Sequence, residues 1–270
     1  MLGLGTQITT LDTRILPPTV NAQLQSARGF VFDGTGDFLD VADNSEFSFA
    51  TASAVGGSVD TVFSFAVWVK RDAANVNECV MSKAATNDAE YRFYFENDSV
   101  YVDIHNTTVN NYSRHVVNNV STTGWQYWVI TYNGAPDSGV TIYLNGATRE
   151  ATESSNGTGG NMQDGATSFK IGRMDDTNYD FDGKMMQAVL WKCELNAEEV
   201  SYLYAGGESA RDPNVDAGNY NSRHAVVAWY PMDASDGNKD FSGVNYASVA
   251  AFDSTKEGDV DLDTEDDAPW

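Results

Sequence analysis

The feature that most constrains the fold is a series of short β-rich runs, each followed by a turn rich in Gly, Asn or Asp. The runs cover residues 30–41, 63–69, 91–104, 125–132, 140–144, 169–172 and 185–191. In most of them, large apolar side chains alternate with small or polar ones, as in strands with one face on a core. Residues 91–96 place three aromatic side chains on one face and Arg92, Tyr94 and Glu96 on the other. The pattern predicts an antiparallel β structure.

Two runs indicate their own position in a sheet. Residues 125–132 carry bulky side chains on both faces, which predicts a central strand that is covered on both sides. Residues 140–144 end at Asn145-Gly146, a pair typical of a tight β-hairpin. We therefore expect these segments near the middle of one sheet and at a hairpin, respectively.

One segment has the marks of a short helix. Asn196 can cap residues 197–204, acidic residues occupy the first turn, and Gly206-Gly207 can end the helix. One short helix among many strands predicts an all-β protein built as an antiparallel two-sheet jelly-roll sandwich.

The chain divides by composition into three parts. Residues 1–28 have scattered apolar side chains and Pro17-Pro18, and they predict an extended N-terminal arm. Residues 29–250 are predicted to form the sandwich, including a return strand at 225–232. The roughly 60 residues from Asn214 onward are too few to form a second core of this kind, so we expect this strand to join the first one. Residues 251–270 are predicted to be an acidic C-terminal tail.

Charge and cysteine content exclude several functions. The chain has 39 Asp and Glu against 16 Lys and Arg, a formal net charge of -23. This charge repels nucleic-acid phosphates and anionic lipids, so we expect no nucleic-acid partner and no membrane association. The N-terminus lacks the features of a secretory signal. Cys79 and Cys193 fit no metal-binding spacing. We expect two reduced, buried thiols, with a single disulfide between them as the alternative.

A set of motifs occurs in an order that carries a resemblance. The motifs are Phe32-Asp33-Gly34 with Asp37-Phe38, Trp68-Val69-Lys70, Gly124-Trp125 with Thr131-Tyr132, Tyr143-Leu144-Asn145-Gly146, Ile171-Gly172, Phe181-Asp182-Gly183, and Leu195 before Glu198-Glu199-Val200. Across about residues 29–207, the chain resembles the laminin-G-like branch of the concanavalin-A-like lectin/glucanase superfamily. The resemblance implies the same jelly-roll sandwich. Gln187 stands where that family often has an acidic residue.

The arm, the absent signal and the acidic body also resemble structural proteins of marine bacteriophages. This second resemblance implies a non-enzymatic virion protein, such as a capsid decoration, that is assembled in the host cytoplasm and displayed on the virion surface. Its arm would bind a major capsid or tail protein, and a homo-oligomer is expected.

The alternative function is a carbohydrate-binding lectin or adhesin that recognises surface glycans, with or without calcium. Relatives in the superfamily often bind calcium at the sandwich rim, which implies the candidate oxygen ligands Asp33, Asp37, Asp175, Asp176, Asn178, Asp180 and Asp182. Sugar binding needs aromatic platforms, and the candidates are Tyr94, Tyr101, Tyr112 and Tyr179. We select Tyr112, Asp175, Asp176, Asn178 and Tyr179 as the ligand-binding residues. Acidic loops that are merely solvated, and tyrosines that belong to the core, are the competing interpretations.

Catalysis is not expected, and no cofactor is required. The superfamily's glucanases use a Glu-x-Asp-x-x-Glu strand, but here Glu96-Asn97-Asp98 starts that pattern and Tyr101 ends it. Asn97-Asp98 instead predicts a turn. The histidines lie outside metalloprotease spacings, and the repeat of Ser113-Arg114-His115 at 222–224 is attributed to chance.

Overall fold

A computed structural model of the chain describes residues 23–24, 29–50, 60–106, 111–120, 122–135, 138–156, 161–174, 179–208, 210–233 and 254–262. The strands are β1 (Gln23–Leu24), β2 (Phe30–Asp33), β3 (Phe38–Val41), β4 (Phe63–Arg71), β5 (Glu78–Ala85), β6 (Asp88–Glu96), β7 (Ser99–His105), β8 (Tyr112–Val117), β9 (Gln126–Tyr132), β10 (Val140–Leu144), β11 (Ala147–Arg149), β12 (Thr152–Asn156), β13 (Phe169–Ile171), β14 (Asp182–Trp191), β15 (Ala210–Arg211), β16 (Val226–Tyr230), β17 (Thr255–Glu257) and β18 (Asp261–Leu262). The helix α1 is Ala197–Tyr204, and short 3-10 turns lie at Ser45–Phe47, Ala205–Gly207 and Arg223–Ala225.

The strands form two antiparallel sheets that face each other. The front sheet has the order β12-β8-β7-β6-β5-β13-β3-β17. The back sheet has the order β11-β10-β9-β4-β14-β2-β18, and β16 also pairs with β14. A short ladder joins β1 to β15 outside both sheets. The predicted all-β sandwich with one short helix is confirmed.

A core of apolar side chains fills the space between the sheets. Alternate residues of β9, namely Trp128, Ile130 and Tyr132, point into it and are at most 1% exposed. From the front sheet, Tyr91 reaches the same core and donates its hydroxyl to the carbonyl of Phe47 over 2.8 Å. The period of two seen in the sequence therefore sorts side chains into the core as expected.

The outer face of the back sheet carries a second apolar cluster. Trp68 and Tyr127 lie on this face, on the opposite side from the main core, and α1 covers them with Val200 and Leu203. Trp191 donates its indole N–H to the Tyr220 hydroxyl over 2.8 Å, which holds the segment after α1 against the sheet. The prediction that residues 125–132 are a central strand covered on both sides is confirmed, because all seven residues of β9 are buried.

The helix begins and packs as its sequence predicts. The Asn196 side chain accepts from the backbone amides of Glu198 and Glu199 over 2.9 and 3.1 Å, and Glu199 accepts in return from the Asn196 amide over 3.1 Å. The other carboxylate oxygen of Glu199 accepts from the Ser222 hydroxyl over 2.6 Å. This capping box therefore also ties α1 to the segment that leads into β16.

Gln187 occupies a β-bulge in β14. Its φ is 56°, and the register with β4 shifts between Met186 and Val189. The Gln187 side-chain oxygen accepts from the indole N–H of Trp229 over 2.8 Å. At the position where the family often has an acid, this chain therefore uses a neutral acceptor to hold β16.

The predicted acidic tail is partly wrong, because residues 254–262 belong to the sandwich. β17 pairs with β3, and β18 pairs with β2. Val260 between them is 5% exposed and lies in the main core. At the N-terminal side, Gln23 and Leu24 pair with β15, while the rest of the predicted arm lies outside the described residues.

The two cysteines are free thiols. Cys79 is fully buried, as expected, but Cys193 is only half-buried. In the ranges described, no helix is both long and apolar enough to cross a membrane.

Truncation tests the corrected boundary. Removing residues 251–270 takes away both edge strands and the buried Val260, so we expect the unfolding free energy to fall by about 2–4 kcal/mol. Removing residues 263–270 keeps both strands and should cost less. Urea denaturation of the two truncated chains and the full chain measures this difference, and equal stability of all three would contradict the assignment of residues 254–262 to the sandwich.

Candidate functional site

The outer face of the front sheet carries a cluster of tyrosines around one arginine. Three neighbouring strands, β6, β7 and β8, bring these side chains together because their register places the outward residues in rows. The cross-strand pairs are Tyr94 with Tyr101, Asp103 with Arg114, and His105 with Tyr112. We call the set Tyr94, Tyr101, Asp103, Tyr112, Arg114 and Tyr179 the tyrosine–arginine face.

A two-pronged ion pair fixes Arg114. Its Nε and Nη2 atoms donate to the two carboxylate oxygens of Asp103, each over 2.7 Å. The Asp103 side chain is 0% exposed, while that of Arg114 is 24% exposed. Nη2 also donates to the Tyr94 hydroxyl over 2.8 Å, and that hydroxyl donates to Asp103 over 3.2 Å. The hydrogen bonds to Nε and Nη2 therefore fix the plane of the guanidinium, and its Nη1 edge is the one not held by them.

Aromatic rings surround the guanidinium. The Arg114 Cζ atom lies 4.6 Å from the ring centroid of Tyr112 and 5.1 Å from that of Tyr101. Tyr101 stacks on Tyr94 with centroids 5.2 Å apart and an interplanar angle of 14°. Such contacts are attractive through the ring quadrupole and limit ring motion. Tyr94 is 4% exposed and forms the floor of the face, whereas Tyr101 and Tyr112 are half-exposed.

Tyr179 extends the face beyond β6. Its ring centroid lies 5.9 Å from that of Tyr94. Its hydroxyl accepts from the Asn77 side chain over 3.0 Å, and its carbonyl accepts from the Cys79 amide over 3.1 Å. The buried side chains of Cys79 and Met174 pack beside Tyr94. Tyr179, half-exposed, is thus held by both its backbone and its hydroxyl.

Tyr94 and Arg114 both stay protonated near neutral pH. Burial, followed by the charge of Asp103, raises the pKa of Tyr94, so its hydroxyl stays protonated. The hydrogen bonds to Asp103 raise the pKa of Arg114, and burial only partly opposes them. Tyr94 and Arg114 therefore keep their hydrogen-bond donors at physiological pH.

His105 lies beside this network and is 8% exposed. Burial, followed by the charges of Arg92 and Arg114, lowers its pKa to about 3. Its ring lies 5.3 Å from that of Tyr112, and its Nε2 atom makes no hydrogen bond to the described part of the chain. His105 is thus a neutral side chain that supports Tyr112.

The structure brings together some of the predicted ligand-binding residues. Tyr112 and Tyr179 both lie on the tyrosine–arginine face, as do the further candidates Tyr94 and Tyr101. Asp175, Asp176 and Asn178 lie outside the described residues.

Three of the remaining calcium candidates, Asp33, Asp37 and Asp180, bind backbone amides through their carboxylates. For the fourth, Asp182, burial, followed by the charges of Asp72 and Asp33, raises the pKa. The carboxylate of Asp37 accepts from the amides of Asp33 and Asp259 over 2.9 and 2.6 Å. Asp180 accepts from the Gly36 amide over 3.0 Å and faces Arg173. In the described ranges, no three acidic, His or Cys side chains are grouped to hold a metal ion. These residues do not fit a calcium site by themselves, and we derive no step through calcium.

The glucanase-like motif forms a turn, as predicted. Glu96 is the last residue of β6 and pairs with Ser99, so Asn97 and Asp98 form the two-residue turn to β7. Asn97 has a φ of 53°, a left-handed conformation that suits Asn in such turns. Glu96 and Asp98 therefore do not lie on the same strand, and they do not project together into a cleft as the glucanase carboxylates would.

Sequence reasoning missed the two residues at the centre of the face. Asp103 and Arg114 are 11 positions apart and become partners only through the register of β7 and β8. Residues 100–104 alternate apolar and other side chains, so the sequence alone could have indicated that Asp103 lies on the same outward face as Tyr101. The related tripeptide at 222–224 lies in a 3-10 turn, where Arg223 forms an exposed pair with Asp216.

Comparison with known families identifies the class of protein. A family model described as the concanavalin A-like lectin/glucanases superfamily matches residues 33–201. This range is more than half of the chain, and the chain therefore belongs to that superfamily. The resemblance predicted from the sequence motifs is confirmed.

Solved structures share the fold at low sequence identity. A Bacteroides ovatus protein for which carbohydrate binding has been suggested is 15% identical, with a TM-score of 0.55 over 89% of this chain and 60% of that one. The receptor-binding domain of the botulinum neurotoxin mosaic serotype C/D is 14% identical, with a TM-score of 0.48 over 66% of this chain and 42% of that one. A heptameric pentraxin from Limulus polyphemus is 14% identical, with a TM-score of 0.41 over 77% of this chain and 92% of that one. No curated protein matches the chain.

The lowered pKa of His105 predicts acid sensitivity. The pKa of His105 in the folded chain is about 3, below the ordinary value of 6.5. Between pH 3 and 6.5 this side chain is therefore protonated in the unfolded chain but neutral in the folded chain. This contribution to stability is present above about pH 6.5 and is lost as the pH falls toward 3.

Denaturation of the parent and of His105→Gln at pH 7.5 and 5.0 tests this. The parent should lose about 1–2 kcal/mol more than the variant over this interval. The same loss in both proteins would show that His105 does not resist protonation.

Proposed function

We propose that this protein is a non-catalytic glycan-binding sandwich whose binding surface is the tyrosine–arginine face. The observation that carries the proposal is the fixed Arg114 guanidinium with half-exposed tyrosine rings on either side. The fold adds support, because the outer face of the back sheet is covered by α1 and its neighbours. The outer face of the front sheet carries the partly exposed rings of Tyr101, Tyr112 and Tyr179 close together.

The chemistry of the face suits sugars. A sugar ring has an apolar C–H face that packs against an aromatic ring, and hydroxyls at its edge that exchange hydrogen bonds. Tyr101, Tyr112 and Tyr179 offer the rings. The Nη1 atom of Arg114 has no hydrogen bond within the described chain, so its two N–H groups remain for ligand oxygens. Since the protein holds these groups in place already, little conformational entropy is lost on binding.

The Bacteroides ovatus protein supports the proposal at the level of fold. Carbohydrate binding has been suggested for that protein, and its similarity extends over 89% of this chain. The match covers 60% of the Bacteroides ovatus protein, so the shared sandwich is one part of that protein.

A glycan array with point variants tests the site. Tyr101→Ala, Tyr112→Ala and Tyr179→Ala should each weaken binding by about 0.5–1.5 kcal/mol, or about two- to tenfold, because each removes one stacking ring. Tyr202→Ala is the matched control, since Tyr202 is a half-exposed tyrosine on α1, on the other side of the sandwich. An array repeated with a chelator tests the calcium requirement in the same experiment.

Two results would reject this function. One is an array on which the parent protein binds no glycan. The other is a loss of binding in Tyr202→Ala as large as in the three face variants, with all four proteins folded by circular dichroism. Release of reducing sugar from a bound glycan would contradict the non-catalytic part of the proposal.

Display on a virion is a second proposal, and it rests on the sequence. Residues 1–22 would anchor the sandwich to a capsid or tail protein while the tyrosine–arginine face points outward. The ladder between β1 and β15 places Gln23 and Leu24 with the domain, so the anchor to delete ends at residue 22.

Deletion of residues 1–22 separates anchoring from folding. The shortened chain should keep its thermal stability and glycan binding, because β1 is retained, but it should no longer copurify with assembled particles. Normal incorporation into particles would contradict the anchoring role.

A further inference from the structure

Three cations on the outer face of the front sheet each lie beside a carboxylate. Arg114 is neutralised by Asp103, whose two oxygens it binds. Farther along the same face, Lys170 lies 3.0 Å from Asp40, and Arg173 lies 3.6 Å from Asp180. Each of these cations thus has its own carboxylate. Arg92 and Glu96, on the same side of β6 as Tyr94, add one charge of each sign, so the charges named on this surface balance.

The same cations also pack against aromatic rings on this face. Arg173 Cζ lies 4.9 Å from the ring centroid of Phe38, and Lys170 Nζ lies 5.9 Å from it. Arg114 packs on Tyr101 and Tyr112 in the same way. The cations therefore support ring positions as well as pairing with acids, so their positive charges are already compensated before a ligand arrives.

The rest of the molecule is strongly anionic. The formal net charge of -23 creates a negative field around the domain. At about 0.1 M salt this field extends about 10 Å from exposed charges, so a polyanionic chain would approach the face against repulsion. An uncharged polymer meets no such barrier.

Geometry gives the size of the surface. Neighbouring strands lie about 4.8 Å apart, so the face spans about 10 Å from β6 to β8, and Tyr179 extends it beyond β6. A surface of this width accommodates a short run of sugar units that crosses the strands. Arg114 lies between Tyr101 and Tyr112, where its Nη1 donors would meet a pair of adjacent hydroxyls on a ring that stacks beside it.

We infer that the ligand of the tyrosine–arginine face is an uncharged glycan, with neutral hexose units stacked across β6, β7 and β8 and adjacent hydroxyls on Arg114. This inference rests on the proposed glycan-binding function and specifies its ligand class. Glycans that carry uronate or sulfate groups are disfavoured by the paired charges on the face and by the field of the whole domain.

Matched glycans test the ligand class. Oligosaccharides of β-linked glucose, galactose or mannose are compared with their uronate and sulfated counterparts of the same linkage and length, by calorimetry at 50 and 500 mM NaCl. We expect binding to at least one neutral series, with a dissociation constant that changes less than about twofold with salt. Its acidic counterparts should bind at least tenfold more weakly at low salt.

The outcomes separate the two proposals. Tighter binding of an acidic series, weakened by salt and lost in Tyr101→Ala, would overturn the neutral ligand class while keeping the face as the binding site. Failure of every neutral and acidic series to bind would overturn the glycan-binding function and this inference with it.

A charge variant gives a second test. Asp103→Asn keeps a side-chain acceptor but leaves the charge of Arg114 uncompensated, so preference should move toward acidic glycans by at least threefold. Asp98→Asn is the control, because it removes the same charge from the β6–β7 turn without touching Arg114. An unchanged preference in folded Asp103→Asn would contradict the role of the pair. If that variant does not fold, the parent series above still decides the ligand class.

Discussion

The back sheet is apolar on both of its faces, and this constraint determines the rest of the structure. Trp128 faces the main core, while Tyr127 next to it faces the second cluster under α1. Burial of a large apolar side chain is worth about 1.5–3 kcal/mol, so neither face can be left to water. The segment that follows β14 must therefore fold back over the outer surface. As a result, the partly polar outer face of the front sheet is the broad surface on which a ligand can be recognised.

On that face, one buried carboxylate organises the side chains. Asp103 is fully buried, and a buried ion is tolerated when it is paired and hydrogen-bonded. Arg114 supplies the pair, and Tyr94 supplies a further hydrogen bond. The same contacts fix the plane of the guanidinium and the stacking of Tyr101. The electrostatic requirement of Asp103 and the rigidity of the tyrosine–arginine face therefore have a single physical origin.

Local sequence signals predicted the elements that depend on local interactions. The strand at β9 follows from a run of bulky side chains on both faces, and the cap of α1 follows from Asn196; both occur as expected. The strand β8 was missed because its outward side chains build the site and its inward ones include Ser113 and His115, so that its sequence is largely polar. β17 was missed because it is three residues long and lies within an acidic segment.

The candidate site shows the same limit. Tyr112 and Tyr179 could be proposed one at a time, since each is a tyrosine near polar groups. Their assembly with Arg114 depends on strand register and on a loop that returns to β5, which no short-range pattern contains. Asp37 has the chemistry of a calcium ligand, but its partners turn out to be backbone amides, including one from Asp259, far away in sequence.

The pairing of β17 with β3 and of β18 with β2 joins the last part of the chain to the first strands of the sandwich. Asp261 pairs with Val31, and Thr255 pairs with Asp40. During synthesis, one edge of both β2 and β3 therefore has no partner until residues 255–262 have left the ribosome. Unpaired edges of this kind are the sites at which nascent β proteins associate wrongly. These two strand pairings also join residues that are very far apart in sequence, and contacts of this kind form slowly during folding. Efficient production of this protein thus depends on how long the nascent chain can keep these two edges from other chains.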